Sequence, residues 1–338
     1  MKQVSTFNPT QPDFAEVVHL ISAARQHAYQ AVNTTLIELY WQVGAYLSNK
    51  LKAAEWGDGV VTQLAQHLAV TQPNLKGFTR PNLFRMKQFY ETYQDDPIVS
   101  ALLRQLPWTH NLTILSRSKR PEEREFYLKM AIKEKWSSRE LERQFNTALF
   151  ERVVLKPVKA SPAVTQMYPD ALSVLKDSYV VDFLNLPPTH SEADLQQSLL
   201  AKLKQFLSEL GRDFCFFGSE FPVQVGKQDF ALDLLFFHRG LNALVAIELK
   251  VDRFSPAHLG QLNFYLEALD RDHKKLHENP AIGVLLCASK DDEVVEYALS
   301  RSLSPAMIAE YQTQLPDKKL LQAKLHEFYM LNIAEGDA

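Results

Sequence analysis

Between residues 230 and 251 the sequence reads FALDLLFFHRGLNALVAIELKV, two apolar runs around a short polar break. Runs of this length, rich in Leu, Phe, Val and Ile and interrupted by glycine, describe two adjacent β-strands, Phe230 to Phe237 and Ala243 to Val251, joined as a hairpin. A hairpin register assigns every side chain to a face, so no other segment constrains the fold as tightly. A turn centred on Gly240-Leu241 sets Asp233 opposite Glu248; a type II′ turn gives this register, and so does a wider symmetric loop. One face then carries Leu232, Leu234, Phe236, Val245, Ile247, Leu249 and Val251. The other carries Asp233, Leu235, Phe237, Leu244, Ala246, Glu248 and Lys250.

Two carboxylates so opposed have Cβ atoms about 5 Å apart, and like charges there destabilise a sheet. Two arrangements relieve the repulsion. The acids can point into water from a half-exposed sheet, with Lys250 as counter-ion. Alternatively, a divalent cation can sit between them: Mg²⁺ takes one or two carboxylates and keeps several waters. A lysine on the same face can then orient or deprotonate a nucleophile and stabilise charge developing on a phosphate. Acid, acid and lysine is the minimum equipment for metal-assisted phosphodiester hydrolysis.

Around the hairpin the pattern alternates helix and strand. A helix over Glu192 to Leu210 ends at Gly211, and a strand with a bulge or bend at Gly218 or Pro222 covers Phe214 to Val225. After the hairpin come a helix from about Pro256 to Asp270, a strand Ile282 to Cys287 and a helix Glu293 to Ser300. The order is α-β-β-β-α-β, closed by a strand near Met307 to Tyr311 and a helix from Pro316 to Met330. The first half reads differently, as helices only. A long helix covers Phe14 to about Leu51, Trp56-Gly57-Asp58-Gly59 breaks it, and helical spacing resumes over Val60 to Ala69. Thr79 and Pro81 then open a helix carrying Leu83, Met86, Phe89 and Tyr90 on one stripe and Arg80, Arg85 and Lys87 on the other. That plan fits a helix-turn-helix, and equally a helix pair with a solvated basic face. Further helices are expected over Asn111 to Ser116, Pro121 to Lys135 and Ser137 to Phe150. The Pro-rich segment KPVKASPAVTQMYPD is the expected linker, which divides the chain into 1–160 and 161–338.

Composition supports this division. The net charge of -3 hides an excess of six basic residues in 1–160, where 21 Lys+Arg stand against 15 Asp+Glu, and an acidic second half. A mildly basic helical half suits a polyanion, and a solvated surface explains it as well. Arg117, Lys119 and Arg120 form a basic loop that fits either. The beginning, MKQVSTFNPTQPDFAE, has no apolar core of a signal peptide, and no stretch is long enough to span a bilayer, so a cytoplasmic protein with no membrane partner is expected. Cys215 and Cys287 lack CxxC spacing and are expected to be buried thiols. His238, His258, His273 and His277 are expected to be exposed, although His273 and His277 have ligand spacing if helical. No small-molecule cofactor motif is present; Gly57-Asp58-Gly59 is too short for a phosphate fingerprint.

The arrangement D-x14-E-L-K across a hairpin, with PAHLGQLNFYLEALDRD after it, resembles the PDDEXK (restriction-endonuclease-like) nucleases. The segments WQVGAYL, WGDGVV, KGFTRPNL and FYLKMAIKEKWSSRELERQ in the first half, and DFALDLLFFHR, LVAIELKV, LGQLNFYLEALD, IGVLLC and VVEYAL in the second, resemble the YhcG type of that superfamily. The resemblance implies an α/β (α+β) chain: an all-α helix-turn-helix or winged-helix-like domain, then a PDDEXK domain with an α-β-β-β-α-β core. It implies a nuclease using Mg²⁺ or Mn²⁺ on nucleic acid, foremost DNA, in phage defence or in DNA repair or recombination, with a homodimer compatible with cutting two strands. It makes Asp233 and Glu248 metal ligands with the Leu249 carbonyl as a third, Lys250 the catalytic lysine, and Gln261 and Tyr265 supporting residues. From packing alone, Gln261 and Tyr265 merely belong to an amphipathic helix. Related nucleases often take a further acid from the preceding helix, where this chain has Gln196; Glu192 or Glu220 is the expected substitute. In the basic half, the helix-turn-helix plan and the basic loop make Arg80, Asn82, Arg85, Lys87, Arg117, Lys119 and Arg120 the expected nucleic-acid contacts. The competing expectation is a weak or non-catalytic nucleic-acid-binding or assembly module that keeps the fold, or a helical oligomerisation module.

Overall fold

The computed structural model describes the backbone of residues 12–53 and 58–336 and the side chains of 17–25, 27–53 and 59–330. The expected break at Trp56-Gly57 and the polar stretch before Pro12 lie outside the described residues. The chain divides into two compact units, Met1–Leu141 and Glu142–Ala338.

Every described element of the first unit is a helix: α1 (Pro12–Lys52), α2 (Asp58–Thr71), α3 (Arg80–Tyr93), α4 (Pro97–Leu103), α5 (Trp108–Arg117) and α6 (Pro121–Lys133), before α7 (Ser138–Asn146) at the boundary. Helix α3 starts where Thr79 and Pro81 predict and buries Leu83, Met86, Phe89 and Tyr93. Tyr90, expected on that stripe, instead packs edge-on to Trp41 of α1. The α1 and α3 backbones approach so closely at Gly44 that a Cβ there would lie 2.2 Å from the Met86 carbonyl oxygen. This requires glycine within the WQVGAYL segment. Helix α4 was not expected; Asp96 nucleates it by accepting the Ile98 and Val99 N–H groups, with Pro97 in the first turn.

The second unit contains α8 (Leu149–Leu155), α9 (Pro162–Met167), β1 (Ser178–Val180), α10 (Glu192–Ala201), α11 (Leu203–Leu210), β2 (Phe214–Val225), β3 (Gln228–His238), β4 (Ala243–Arg253), α12 (His258–Ala268), β5 (Asn279–Ser289), α13 (Asp292–Leu299), β6 (Ala306–Gln312) and α14 (Lys318–Gly336). The expected α-β-β-β-α-β order is present. Six strands form one sheet in the order β1-β6-β5-β4-β3-β2. Strands β2, β3 and β4 run antiparallel; β4, β5, β6 and β1 run parallel.

Several expectations change. The helix expected over Glu192 to Leu210 breaks at Lys202 into α10 and α11. That expected over Ser137 to Phe150 breaks at Ala148, whose φ is +51°. The Pro-rich segment is ordered: Ser161 N–H donates to Ala306, and Pro162 opens α9. Residues 142–160 also pack with the sheet-bearing unit, because Arg143 and Arg152 reach the buried Glu209 of α11 at 2.6 and 3.7 Å. Cys215 is exposed, since β2 is an edge strand, while Cys287 is buried as expected.

Both faces of the sheet are covered. One core joins Leu234, Phe236, Val245, Ile247 and Leu249 to Leu195, Leu199 and Phe206; the other joins Leu235, Leu244 and Ala246 to Leu262, Tyr265 and Leu266 of α12. Leu232, expected with the first set, packs in the second. The alternation slips at Asp233, opposite the point where Glu220 takes a left-handed φ of +44°.

Candidate active site

The β3–β4 ladder follows the expected register from His238–Ala243 to Leu234–Ile247 and stops one step before Asp233–Glu248. The connection is the wider loop, Arg239 to Asn242, with positive φ at Asn242 and not at Gly240. Beyond the last pair, Asp233 turns its carboxylate to β4, where Oδ2 accepts the Leu249 N–H at 2.8 Å. A backbone donor thus replaces the carboxylate-to-carboxylate contact that an ideal register would force. The carbonyls of this stretch of β3 are taken by side chains. Gln196 Nε2 of α10 donates to Asp233 O at 3.0 Å, and the Tyr265 hydroxyl of α12 donates to Ala231 O at 2.9 Å. Gln261 Nε2 in turn donates to the Tyr265 hydroxyl at 3.2 Å.

Lys250 Nζ lies 3.2 Å from Glu248 Oε1 and 3.3 Å from Glu192 Oε2, the first residue of α10. Glu248 is 2% exposed, and its Oε2 has no hydrogen-bond partner among the described residues. Glu248 is therefore not a water-facing acid, while Asp233 is half-buried and Lys250 serves Glu248 as the expected counter-ion. Burial, together with the Asp233 charge beside it, pushes the Glu248 carboxyl up to about 7. Burial also raises the Asp233 carboxyl, against the Leu249 N–H and Lys250, with Glu192 and Glu220 adding to the rise. For Lys250, burial works downward, yet Glu248 and Glu192 hold the ammonium above its ordinary value. Perturbed groups gathered at one place make this cluster the candidate site.

Among the described residues, no three His, Cys, Asp or Glu side chains converge as a ready-made metal cage. The donors present are two carboxylates. That set fits a hard divalent cation that retains most of its waters, and the unpartnered, buried Glu248 Oε2 is the oxygen such an ion would satisfy. Gln196, the neutral residue in the acid position, is committed to the Asp233 carbonyl. Glu192 reaches the cluster through Lys250, and Glu220 faces Asp233 in the β2–β3 register. That Gln196 and Tyr265 hold the β3 backbone is not legible from residue types, because a carbonyl released from a ladder leaves no such signal. His238 is buried, accepting the Leu241 N–H at Nδ1, and His277 falls beyond the helix, so the His273-x3-His277 ligand pair does not form.

In the first unit, Arg80 and Arg85 are exposed on α3, and Arg80 Nε donates to Thr62 at 3.0 Å. Asn82 is spent structurally: Nδ2 donates to the Gly77 carbonyl, and Oδ1 accepts the Trp108 indole N–H at 3.2 Å. Lys87 pairs with Glu91 at 2.8 Å. Arg117 and Lys119 are exposed and Arg120 half-buried beside the start of α6. Residues Gln72 to Thr79 separate α2 from α3, a longer connection than the three or four residues of a tight helix-turn-helix.

Residues 172–326 match the model of the YhcG PDDEXK nuclease domain, and residues 16–152 match that of the DUF1016 N-terminal domain. The Escherichia coli (strain K12) protein named "Putative nuclease YhcG" is 31% identical over 348 residues, covering 91% of this chain and 92% of its own length. The chain belongs to the YhcG family of PDDEXK nucleases. The family's nuclease domain spans β1 through α13 and β6 into α14, and so contains the whole Asp233-Glu248-Lys250 cluster. A crystal structure of a repair endonuclease from Pyrococcus abyssi aligns over 39% of this chain and 50% of that chain, with 16% identity and a TM-score of 0.26. Among the described residues no helix is long and apolar enough to cross a membrane.

Proposed function

We propose that this chain is a Mg²⁺- or Mn²⁺-dependent nuclease that hydrolyses phosphodiester bonds in DNA. The observation that carries the proposal is the buried, unpartnered Glu248 oxygen beside Asp233 with Lys250 Nζ at 3.2 Å, in a chain of a nuclease family. Asp233 and Glu248, with the Leu249 carbonyl, would hold the ion; when bound it supplies Lewis-acid polarisation of a phosphoryl oxygen. Lys250 directs its ammonium at charge growing on the phosphate and orients an attacking water. Gln196 and Tyr265 hold the β3 backbone from opposite sides of the sheet, which fixes where the Asp233 carboxylate points; Gln261 orients the Tyr265 hydroxyl. Glu192 and Glu220 complete the acidic rim, as further ligands or as partners of Lys250.

The helical unit binds the duplex. Its contacts are Arg80, Arg85, Arg117, Lys119 and Arg120, with Lys87 and Asn82 shaping α3. A helix-turn-helix mode, a cytoplasmic location, a homodimer and a role in phage defence or DNA repair all belong to this proposal. Gln196 in place of an acid favours a second reading, a nucleic-acid-binding or assembly module that keeps the fold without cutting.

The test is incubation with supercoiled, linear, branched and single-stranded DNA and with RNA, in Mg²⁺, Mn²⁺ or EDTA. Metal-dependent cutting of DNA is expected. Salt-dependent binding of DNA with no cutting on any substrate supports the second reading.

A further inference from the structure

We infer that α1 is a self-association element, through which two copies of this chain pair antiparallel about a two-fold axis at Val32. The first observation is a helix half without a core. From Val17 to Val32 every residue whose side chain is described is exposed, including Val18, Leu20 and Ile21, with Tyr29 at 75% and Val32 at 67%. A helix segment of this length is marginal alone in water, and an exposed apolar run of this extent marks an interaction site.

The second observation is the symmetry of the seam. Counting outward from Val32 by four, seven, eleven and fourteen residues gives Ala28 and Leu36, Arg25 and Leu39, Ile21 and Val43, and Val18 and Tyr46. Those steps average one seam residue per 3.5, the spacing of helices that pack side by side. Reversed on itself, the pattern matches itself, as an isologous interface requires. At 1.5 Å per residue the seam is about 42 Å long.

The third observation is a receptor for it. Leu39, Val43 and Tyr46 form one wall of an apolar groove of about 540 Å³ whose other wall includes Leu64 and Leu68 of α2. In the antiparallel pair this groove receives Val18 and Ile21 of the second copy.

Charge supports the same orientation. The α1 sequence is acidic at its start, with Asp13 and Glu16, and basic in its last turn, with Lys50 and Lys52. Antiparallel pairing about Val32 brings each acidic end to the partner's basic end, and it also opposes the helix dipoles. A parallel pair would instead set like ends together.

The test uses the full chain. Sedimentation at micromolar concentration in ~0.15 M salt is expected to give a dimer. Val32→Glu, which places two carboxylates at the axis, is expected to raise the dissociation constant at least about 100-fold with an unchanged circular dichroism spectrum. In a Cys215→Ser background with a mild oxidant, Val32→Cys alone and Val18→Cys with Tyr46→Cys are expected to cross-link two chains, and Val18→Cys alone is not. The cross-links decide the matter even if Val32→Glu impairs folding. A wild-type monomer throughout, a dimer indifferent to Val32→Glu, or cross-linking by Val18→Cys alone would each overturn the inference.

Discussion

The Leu249 N–H donates to the Asp233 carboxylate at 2.8 Å at the step where β3 and β4 cease to pair. One side chain thereby does what a ladder carbonyl would have done, and the strands part just where Glu248 and Lys250 are needed. The opening is held from both sides of the sheet by Gln196 and Tyr265. The cost of this arrangement is concentrated in Glu248, which is buried with one oxygen unsatisfied.

That cost predicts a stability–activity exchange. The Glu248 carboxyl is pushed up to about 7 by burial and by Asp233, so the folded state holds its proton more tightly than the unfolded one. The stability it confers is complete below an unfolded value of about 4.5 and is lost as pH rises through about 7, a swing on the order of 3 kcal/mol. Glu248→Gln should therefore abolish cleavage, raise the melting temperature at pH 8 and flatten its decline between pH 5 and 8. Urea denaturation across that range checks it; a variant less stable than wild type at pH 8 contradicts it.

The buried Glu209 titrates in the opposite sense. Burial works to raise its carboxyl, and Lys176, Arg152 and Arg143 together overcome burial and hold it at about 2. Its contribution is present above about 4.5 and lost as pH falls towards 2, on the order of 3 kcal/mol. Glu209→Gln should lose about that much at neutral pH and show a weaker dependence on acid, as read by the denaturation midpoint between pH 3 and 6.

Gly44→Ala tests the α1–α3 contact. An added methyl would meet the Met86 carbonyl oxygen at 2.2 Å, and neither helix backbone can yield locally, so a loss of about 2 kcal/mol or more is expected. Thermal melting of the full chain measures it. An unchanged midpoint would mean that the helices can separate without penalty.

What the sequence made legible follows the strength of local signals. The three long strands and their register could be read because alternation along β3 and β4 runs without interruption for several residues. Strand β1 was missed: Ser178–Val180 is too short for a period and gains its place only by pairing with β6. The Pro-rich segment around Ser161 resembled a linker because proline marks turns and helix starts alike, and only its pairing with Ala306 settles which. Asp233, Glu248 and Lys250 stood out as charges among apolar neighbours. Gln196 was legible only as a neutral residue where an acid is expected; its bond to the Asp233 carbonyl was not, because an amide on an amphipathic helix looks like any solvated residue until the carbonyl it serves is in view.

Binding of a cation should be visible without catalysis. Mg²⁺ at ten times its dissociation constant should stabilise the fold by about 1.4 kcal/mol, and Glu248→Gln or Asp233→Asn should remove most of that gain. Thermal melting with Mg²⁺ and with EDTA makes the comparison; equal shifts in all three proteins would place the cation elsewhere.

The central claim is that Asp233, Glu248 and Lys250 form a hydrolytic site, and cleavage of supercoiled DNA in Mg²⁺ or Mn²⁺ by wild type, Asp233→Ala and Lys250→Ala tests it most directly. The account predicts cutting by wild type and a loss of at least about 100-fold in each variant, with both variants folded by circular dichroism. Equal residual cutting by all three proteins would contradict it.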